Sequence, residues 1–269
     1  MATKPIRMGR SNVGIGRVFE RAFATIAHNP AVTIGIALLF GGIPTTAMTW
    51  AMTYASQNAL GRDYSAAFFV GLYVVMFVTW VLGLAIASLV QGVLTRATVA
   101  ESEGRKASVR ECVRAALPVL LPLIGLSILI AIGVMVGFIF LIVPGVMLYL
   151  AWSVAAPALV EERRGITAAF RRSWELTRGS RWKIFAVMLI LYIIYYLISG
   201  VFAILSMWIL GGRGLSGIGQ NFSAGFVVFN LVLALITNLL WGAVQASLYV
   251  ELRDWKDGPT AENLEEVFA

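Results

Sequence analysis

Six apolar stretches take up more than half of this chain, and that single constraint decides its class before any motif is read. They run over residues 31–52, 66–94, 119–143, 146–160, 184–210 and 224–250. A helix needs about 20 mostly apolar residues to cross about 30 Å of hydrocarbon. Five stretches meet that length, and none carries Lys, Arg, Asp or Glu in its central part. The fourth is shorter and counts as a span because the third needs a partner to return the chain. A hydrophobic share of 59% and a mean hydropathy of +0.83 lie outside the range of soluble domains. The expected fold is an all-α integral membrane protein with six transmembrane helices in a single polytopic domain, 1–269.

Charge placement orients the spans. Of the 21 Lys and Arg residues, all but Arg62 and Arg213 fall before the first stretch, between the second and third, between the fourth and fifth, or after the sixth. The positive-inside rule then puts both termini and both basic loops in the cytoplasm, with the chain in a cytoplasmic (inner) membrane. The net charge of +7 reads as a topology signal and an attraction for anionic headgroups, not as a nucleic-acid footprint, because the cations sit beside spans. Lys4, Arg7 and Arg10 are followed by more charges where a signal peptide needs its apolar core. The single cysteine, Cys112, and single histidine, His28, allow no intrachain disulfide and argue against a Cys/His metal cluster.

Short amphipathic segments alternate with pairs of spans. Over 14–28, Ile15, Val18, Phe19, Ala22 and Ile26 share one helical face, opposite Arg17 and Arg21. Over 108–117, Ser108 and Glu111 form an S-x-x-E capping box ahead of Val109, Cys112, Val113 and Ala116. Over 166–178, Ile166, Ala169, Phe170, Trp174 and Thr177 lie opposite Arg171, Arg172, Glu175 and Arg178. A basic face beside an apolar face suits helices lying in the cytoplasmic interface. The frame W-x6-L-x2-E recurs as Trp152, Leu159, Glu162 and Trp241, Leu248, Glu251, and V-Q-small-x-L recurs at Val90–Leu94 and Val244–Leu248. These matches suggest a threefold repeat of a helix–span–span unit. A tail over 257–269 reads as one short cytoplasmic helix.

Catalytic inventories fail. No G-x-S-x-G, P-loop or H-E-x-x-H occurs, and the carboxylate pairs Glu101/Glu103 and Glu161/Glu162 are each followed closely by Arg or Lys. The chain is therefore expected to be no enzyme and to hold no cofactor. Two residue sets remain as candidate sites. The first is a headgroup-facing set, Arg17, Arg21, Arg110, Arg114, Arg171, Arg172, Arg178, Arg181 and Lys183. The second is an intramembrane polar set, Asn230, Asn238 and Gln245, within about 80° of arc on the last span, with Gln91 in the matching frame of the second. Amide side chains in hydrocarbon need partners, so these either glue helices together or line a polar cavity.

One stretch looks familiar. Val143-Pro144-Gly145, Trp152, Pro157, Glu161/Glu162, Gly165, Ala169, Arg172-Ser173, Leu176, Gly179 and Trp182 follow one another, and Tyr249, Leu252-Arg253, Gly258, Ala261-Glu262, Leu264 and Val267-Phe268 close the chain. The pattern resembles the glycerophosphoryl diester phosphodiesterase membrane-domain family of six-span bacterial proteins. That resemblance implies the membrane fold and an association with phospholipid or envelope biology. Hydrolysis in that family resides in a separate barrel with catalytic His and Glu residues. This sequence has neither the barrel nor a second His, so the activity is not expected to carry over.

The first expectation is a non-enzymatic inner-membrane scaffold or accessory that binds anionic phospholipid. The alternative is a permease-like subunit of an ABC-type transport system, with 166–178 facing a cytoplasmic ATPase. Partners on these readings are phospholipids, a membrane or ATPase protein, and a second copy of the chain. The orientation has a direct test on a Cys112→Ser background. An impermeant thiol reagent outside the cell is expected to label Arg62→Cys and Arg213→Cys but not Arg105→Cys or Arg172→Cys, and the inverse pattern overturns it.

Overall fold

The computed structural model describes residues 13–28, 30–50, 66–102, 105, 108–209 and 224–258. Helices α1 (Ile15–His28), α2 (Pro30–Trp50, with a π-helical segment at Ala37–Gly42) and α3 (Ala66–Ser102) form the first unit. Helices α4 (Val109–Ala116), α5 (Leu120–Phe140), α6 (Ile142–Ala151) and α7 (Ala155–Glu162) form the second. Helices α8 (Ile166–Thr177), α9 (Arg181–Ile209) and α10 (Ala224–Lys256) form the third. The described residues contain no strand. Among the described residues, six helical segments are long and apolar enough to cross a membrane: Pro30–Trp50, Tyr73–Ser102, Val109–Phe140, Ile142–Glu162, Arg181–Leu205 and Val227–Lys256. The sequence-derived tail helix lies outside the described residues beyond 258.

Local chemistry sets the boundaries. Ser108 caps α4 by accepting the Glu111 backbone N–H at 3.2 Å. Pro118 sits in the 3-10 turn Leu117–Val119 that redirects the chain into α5. Gly165 and Gly179 take positive φ on either side of α8, which only glycine does cheaply.

The fourth span differs from its expected bounds of 146–160. It starts at Ile142, because the turn after α5 is the single extended residue Leu141, so residues 140–145 are mostly helix rather than a connection. It is also broken at 152–154. Pro157 is the cause: it has no N–H for the carbonyl four residues back, and its ring crowds that carbonyl. The Ala151 carbonyl beside the break is met by two hydroxyls of α8, Ser173 Oγ at 2.8 Å and Thr177 Oγ1 at 3.4 Å. That demand also turns α8 away from its expected face. Ala169, Ser173, Leu176 and Thr177 are buried, while Trp174 is exposed.

Burial concentrates where the second spans of the three units meet. Gly242 of α10 lies against Leu94 of α3 so closely that a Cβ there would collide with Leu94 Cδ1. Ser88 of α3 and Ser127 of α5 share a hydrogen bond at 2.8 Å, and Gln91 of α3 donates to Gln245 of α10. Around this centre the short helices pack in a regular order, α4 on α3, α8 on α7, and α1 on α10. Each unit's leading helix leans on the second span of the preceding unit, and α1 closes the ring on the last. Away from that end, α3 and α9 present Tyr73, Phe77, Tyr196, Leu197 and Ile204 outward, as a hydrocarbon-facing surface requires.

The α5–α6 hairpin closes through small residues. A Cβ on Gly137 would lie 2.9 Å from Gly145 Cα, a backbone atom that no rotamer change can move aside. Gly137→Val is therefore expected to lower stability by about 1–3 kcal/mol in detergent thermal unfolding. Gly71→Ala, with nothing within 4 Å, should be neutral or slightly stabilising. Equal melting temperatures for both variants would contradict this packing.

Candidate functional site at the basic end of the bundle

The ends of α3, α7 and α10 converge, and the charges near them form a connected network. Glu251 on the last turns of α10 is 1% exposed. A buried carboxylate is tolerated only when paired and hydrogen-bonded, and α1 supplies the partners. Arg17 reaches Glu251 Oε1 through Nη2 at 2.6 Å and Nε at 2.7 Å, and the Gly14 backbone N–H adds a bond at 3.3 Å. One turn on, Arg21 pairs with Asp254 at 3.2 Å and lies 3.9 Å from Glu251. The i,i+4 spacing of Arg17 and Arg21 matches the i,i+3 spacing of Glu251 and Asp254, so two helices 230 residues apart in sequence dock in register. Thr25 then ties α1 to α3 by donating to Glu101 at 3.2 Å, and His28 Nδ1 lies 3.4 Å from the same carboxylate.

Arg96, near the end of α3, bridges Glu161 of α7 at 3.2 Å and Glu111 of α4 at 3.7 Å. Arg172 of α8 donates to Glu162 at 2.6 Å and pairs with Asp257, while Tyr249 donates to Glu162 at 3.5 Å. Burial of the Arg172 guanidinium opposes its charge, but the bonds to Asp257 and Glu162 outweigh that and raise its pKa above the usual arginine value. Two crevices open between these groups. One of about 420 Å³ is lined by Arg96, Glu111, Arg114, Ala115, Val160, Glu161 and Arg163. The other, about 440 Å³, lies among Glu162, Arg164, Arg172, Glu175, Tyr249, Arg253 and Asp257.

The sequence-derived residues divide. Arg17, Arg21 and Arg172 turn inward to carboxylates, whereas Arg110, Arg114, Arg171 and Arg178 stay exposed. Arg181 lies 4.3 Å over the Trp174 ring, and Lys183 is half-buried at the start of α9. Within the spans, Gln91 Nε2 donates to Gln245 Oε1, and Asn238 donates to the Ala234 carbonyl at 2.7 Å while packing beside Gly41 of α2. Asn230 is half-buried on the same helix. These amides lie along helix seams. Arg96, Glu111, Glu161, Arg163, Glu251 and Asp254 were not singled out as site residues from sequence. The recurring W-x6-L-x2-E frame pointed to Glu251, but its partner on α1 is too distant in sequence to read. Among the described residues no group of three His, Cys, Asp or Glu side chains could hold a metal ion.

A family model described as "Uncharacterised protein family (UPF0259)" matches residues 67–210, more than half of the chain. The chain belongs to that family. One relative is a UPF0259 membrane protein of Pectobacterium carotovorum subsp. carotovorum, 33% identical over 79 residues. That match covers 29% of this chain and 32% of the relative, so the chain spans about a third of that relative's length. No solved structure matches. The family match corrects the resemblance drawn from sequence: nothing links this UPF0259 protein to the glycerophosphoryl diester phosphodiesterase membrane-domain family. The misreading has a physical source. The quoted positions are largely apolar, Pro, Gly and interfacial aromatics, residue types that any polytopic helical bundle uses at its turns and rims.

Proposed function

We propose that this membrane protein is a non-enzymatic scaffold that gathers anionic phospholipid at its basic end, which faces the cytoplasm across an inner membrane. The observation that carries the reading is the pairing of exposed cations with exposed large apolar side chains on the same short helices and turns. Arg110 and Arg114 are exposed beside Leu117, Arg171 and Arg178 beside Trp174, and Trp182, 84% exposed, stands between Arg181 and Lys183. Such a surface matches the headgroup level of a bilayer, where basic side chains meet phosphate and indole rings sit at the boundary.

The non-enzymatic part rests on how the carboxylates are used. Glu101, Glu111, Glu161, Glu162 and Glu251 each hold a cation or hydroxyl of a neighbouring helix, which is architecture rather than acid–base chemistry. Turnover of a phospholipid or phosphodiester by the pure protein, lost in a point variant, would refute that part. The permease-like alternative needs α8 presented to an ATPase. Its buried face is instead committed to the break in the fourth span, and Arg172 to Glu162 and Asp257, which favours the scaffold reading.

Each exposed cation near an anionic surface contributes about 1 kcal/mol, screened beyond a Debye length. Neutralising the exposed Arg110, Arg171 and Arg178 together should lower the preference for phosphatidylglycerol over phosphatidylcholine at least tenfold in native mass spectrometry of the purified protein. Raised ionic strength should act in the same direction. A preference indifferent to both the triple substitution and salt would sink the proposal.

A further inference from the structure

The crevice of about 420 Å³ between α3, α4 and α7 has a composition that its structural role does not account for. Three guanidinium groups, Arg96, Arg114 and Arg163, face two carboxylates, Glu111 and Glu161. Arg96 is committed to both carboxylates, and Arg105 reaches Glu111 from the rim at 3.6 Å. Arg114 is exposed and forms no ion pair with any described residue. The crevice therefore keeps a surplus of positive charge after its internal pairs are counted.

Arg163 gives the second observation. It ends α7 with φ 50° and ψ 28°, the left-handed conformation that glycine occupies without strain and a side-chain-bearing residue does not. It is the only positive-φ residue other than glycine among the described residues. Its guanidinium reaches α4, where Nη2 donates to the Ala115 carbonyl at 3.4 Å. An arginine carries five N–H donors in a planar fork that suits a phosphate, and one carbonyl takes only one of them. A glycine would end this helix at lower cost but would leave the crevice one cation short.

We infer that this crevice binds one phosphate-bearing anion, held by Arg114 and Arg163 beside Arg96. The phosphate comes either from the headgroup of an anionic phospholipid or from a small soluble phosphate. The lipid source rests on the proposed lipid-gathering role, and the soluble source does not. Arg114 belongs to both the exposed basic surface and this crevice, whereas Arg163 belongs to the crevice alone, so the soluble-phosphate source can stand where the lipid-gathering role fails.

The test uses the full-length, delipidated protein in detergent, titrated with phosphatidylglycerol, phosphatidylcholine and inorganic phosphate. Bound species are counted by native mass spectrometry, with thermal unfolding as a second readout. The variant is Arg114→Ala/Arg163→Gly, in which glycine relieves the backbone strain, so its melting temperature should hold or rise. Arg114→Gln alone, at an exposed position, guards against a fold defect. A lipid source predicts one phosphatidylglycerol retained more tightly than the rest, weakened at least tenfold in both variants, while inorganic phosphate does not displace it. A soluble source predicts that millimolar phosphate raises the melting temperature of the native protein but not of either variant, with phosphatidylglycerol held no better than phosphatidylcholine. Native protein and variants that hold lipid equally and respond equally to phosphate would overturn the site.

Discussion

A carboxylate taken out of water must be met by a cation or by donors, and at the basic end of this bundle that requirement decides where the helices dock. Glu251 is almost fully buried on α10, a position an apolar residue would fill without any such demand. Its burial is workable because α1 delivers Arg17, Arg21 and a backbone N–H to one small volume. Once α1 is seated there, Thr25 reaches Glu101 and the first unit is fixed to the last. Arg96 and Arg172 repeat the device at the other two junctions, joining α3 to α4 and α7, and α8 to α7 and the segment after α10. Ion pairs of this kind add little net stability against an apolar alternative, but breaking one partner is costly, so they act chiefly to specify which helix goes where.

The ring order explains an otherwise odd feature of the chain, its leading short helix. In the second and third units the short helix packs on the span that directly precedes it in sequence, which short loops favour. In the first unit α1 packs instead on α10, the second span of the last unit. Hydrocarbon gives apolar helices no hydrophobic reason to associate. The spans accordingly meet through small residues and amides, Gly242 against Leu94, Gly137 against Gly145 and Gln91 with Gln245. The firmest contacts gather at the end where water, charge and burial coexist.

Much of this architecture was legible from the residues alone. The six spans follow from apolar runs that no soluble helix would carry, and the capping box at Ser108 marked α4 to within a residue. The shared V-Q-small-x-L frame even named the two glutamines that bond across α3 and α10. The break in the fourth span was harder, because Pro157 lies in an apolar run whose hydropathy continues on both sides of it. The inward turn of Arg17 and Arg21 was not legible at all. On α1 alone they look like headgroup contacts, and only the docking of a helix more than 200 residues away turns them into counter-ions. The family likeness failed for a related reason: residues that suit a membrane rim are common to unrelated bundles, whereas the charges that distinguish this one are paired over long sequence distances.

The buried Glu251 carboxylate is the group that seats α1. Hydrogen exchange on the full-length protein in nanodiscs measures this directly, by comparing amide protection across Ile15–His28 in the native protein and in Glu251→Gln. Removing the charge while keeping the shape should raise exchange throughout that helix by tenfold or more. Glu175→Gln, an exposed partner of Arg171 on α8, should leave it unchanged. Undiminished protection of Ile15–His28 in Glu251→Gln would contradict the account.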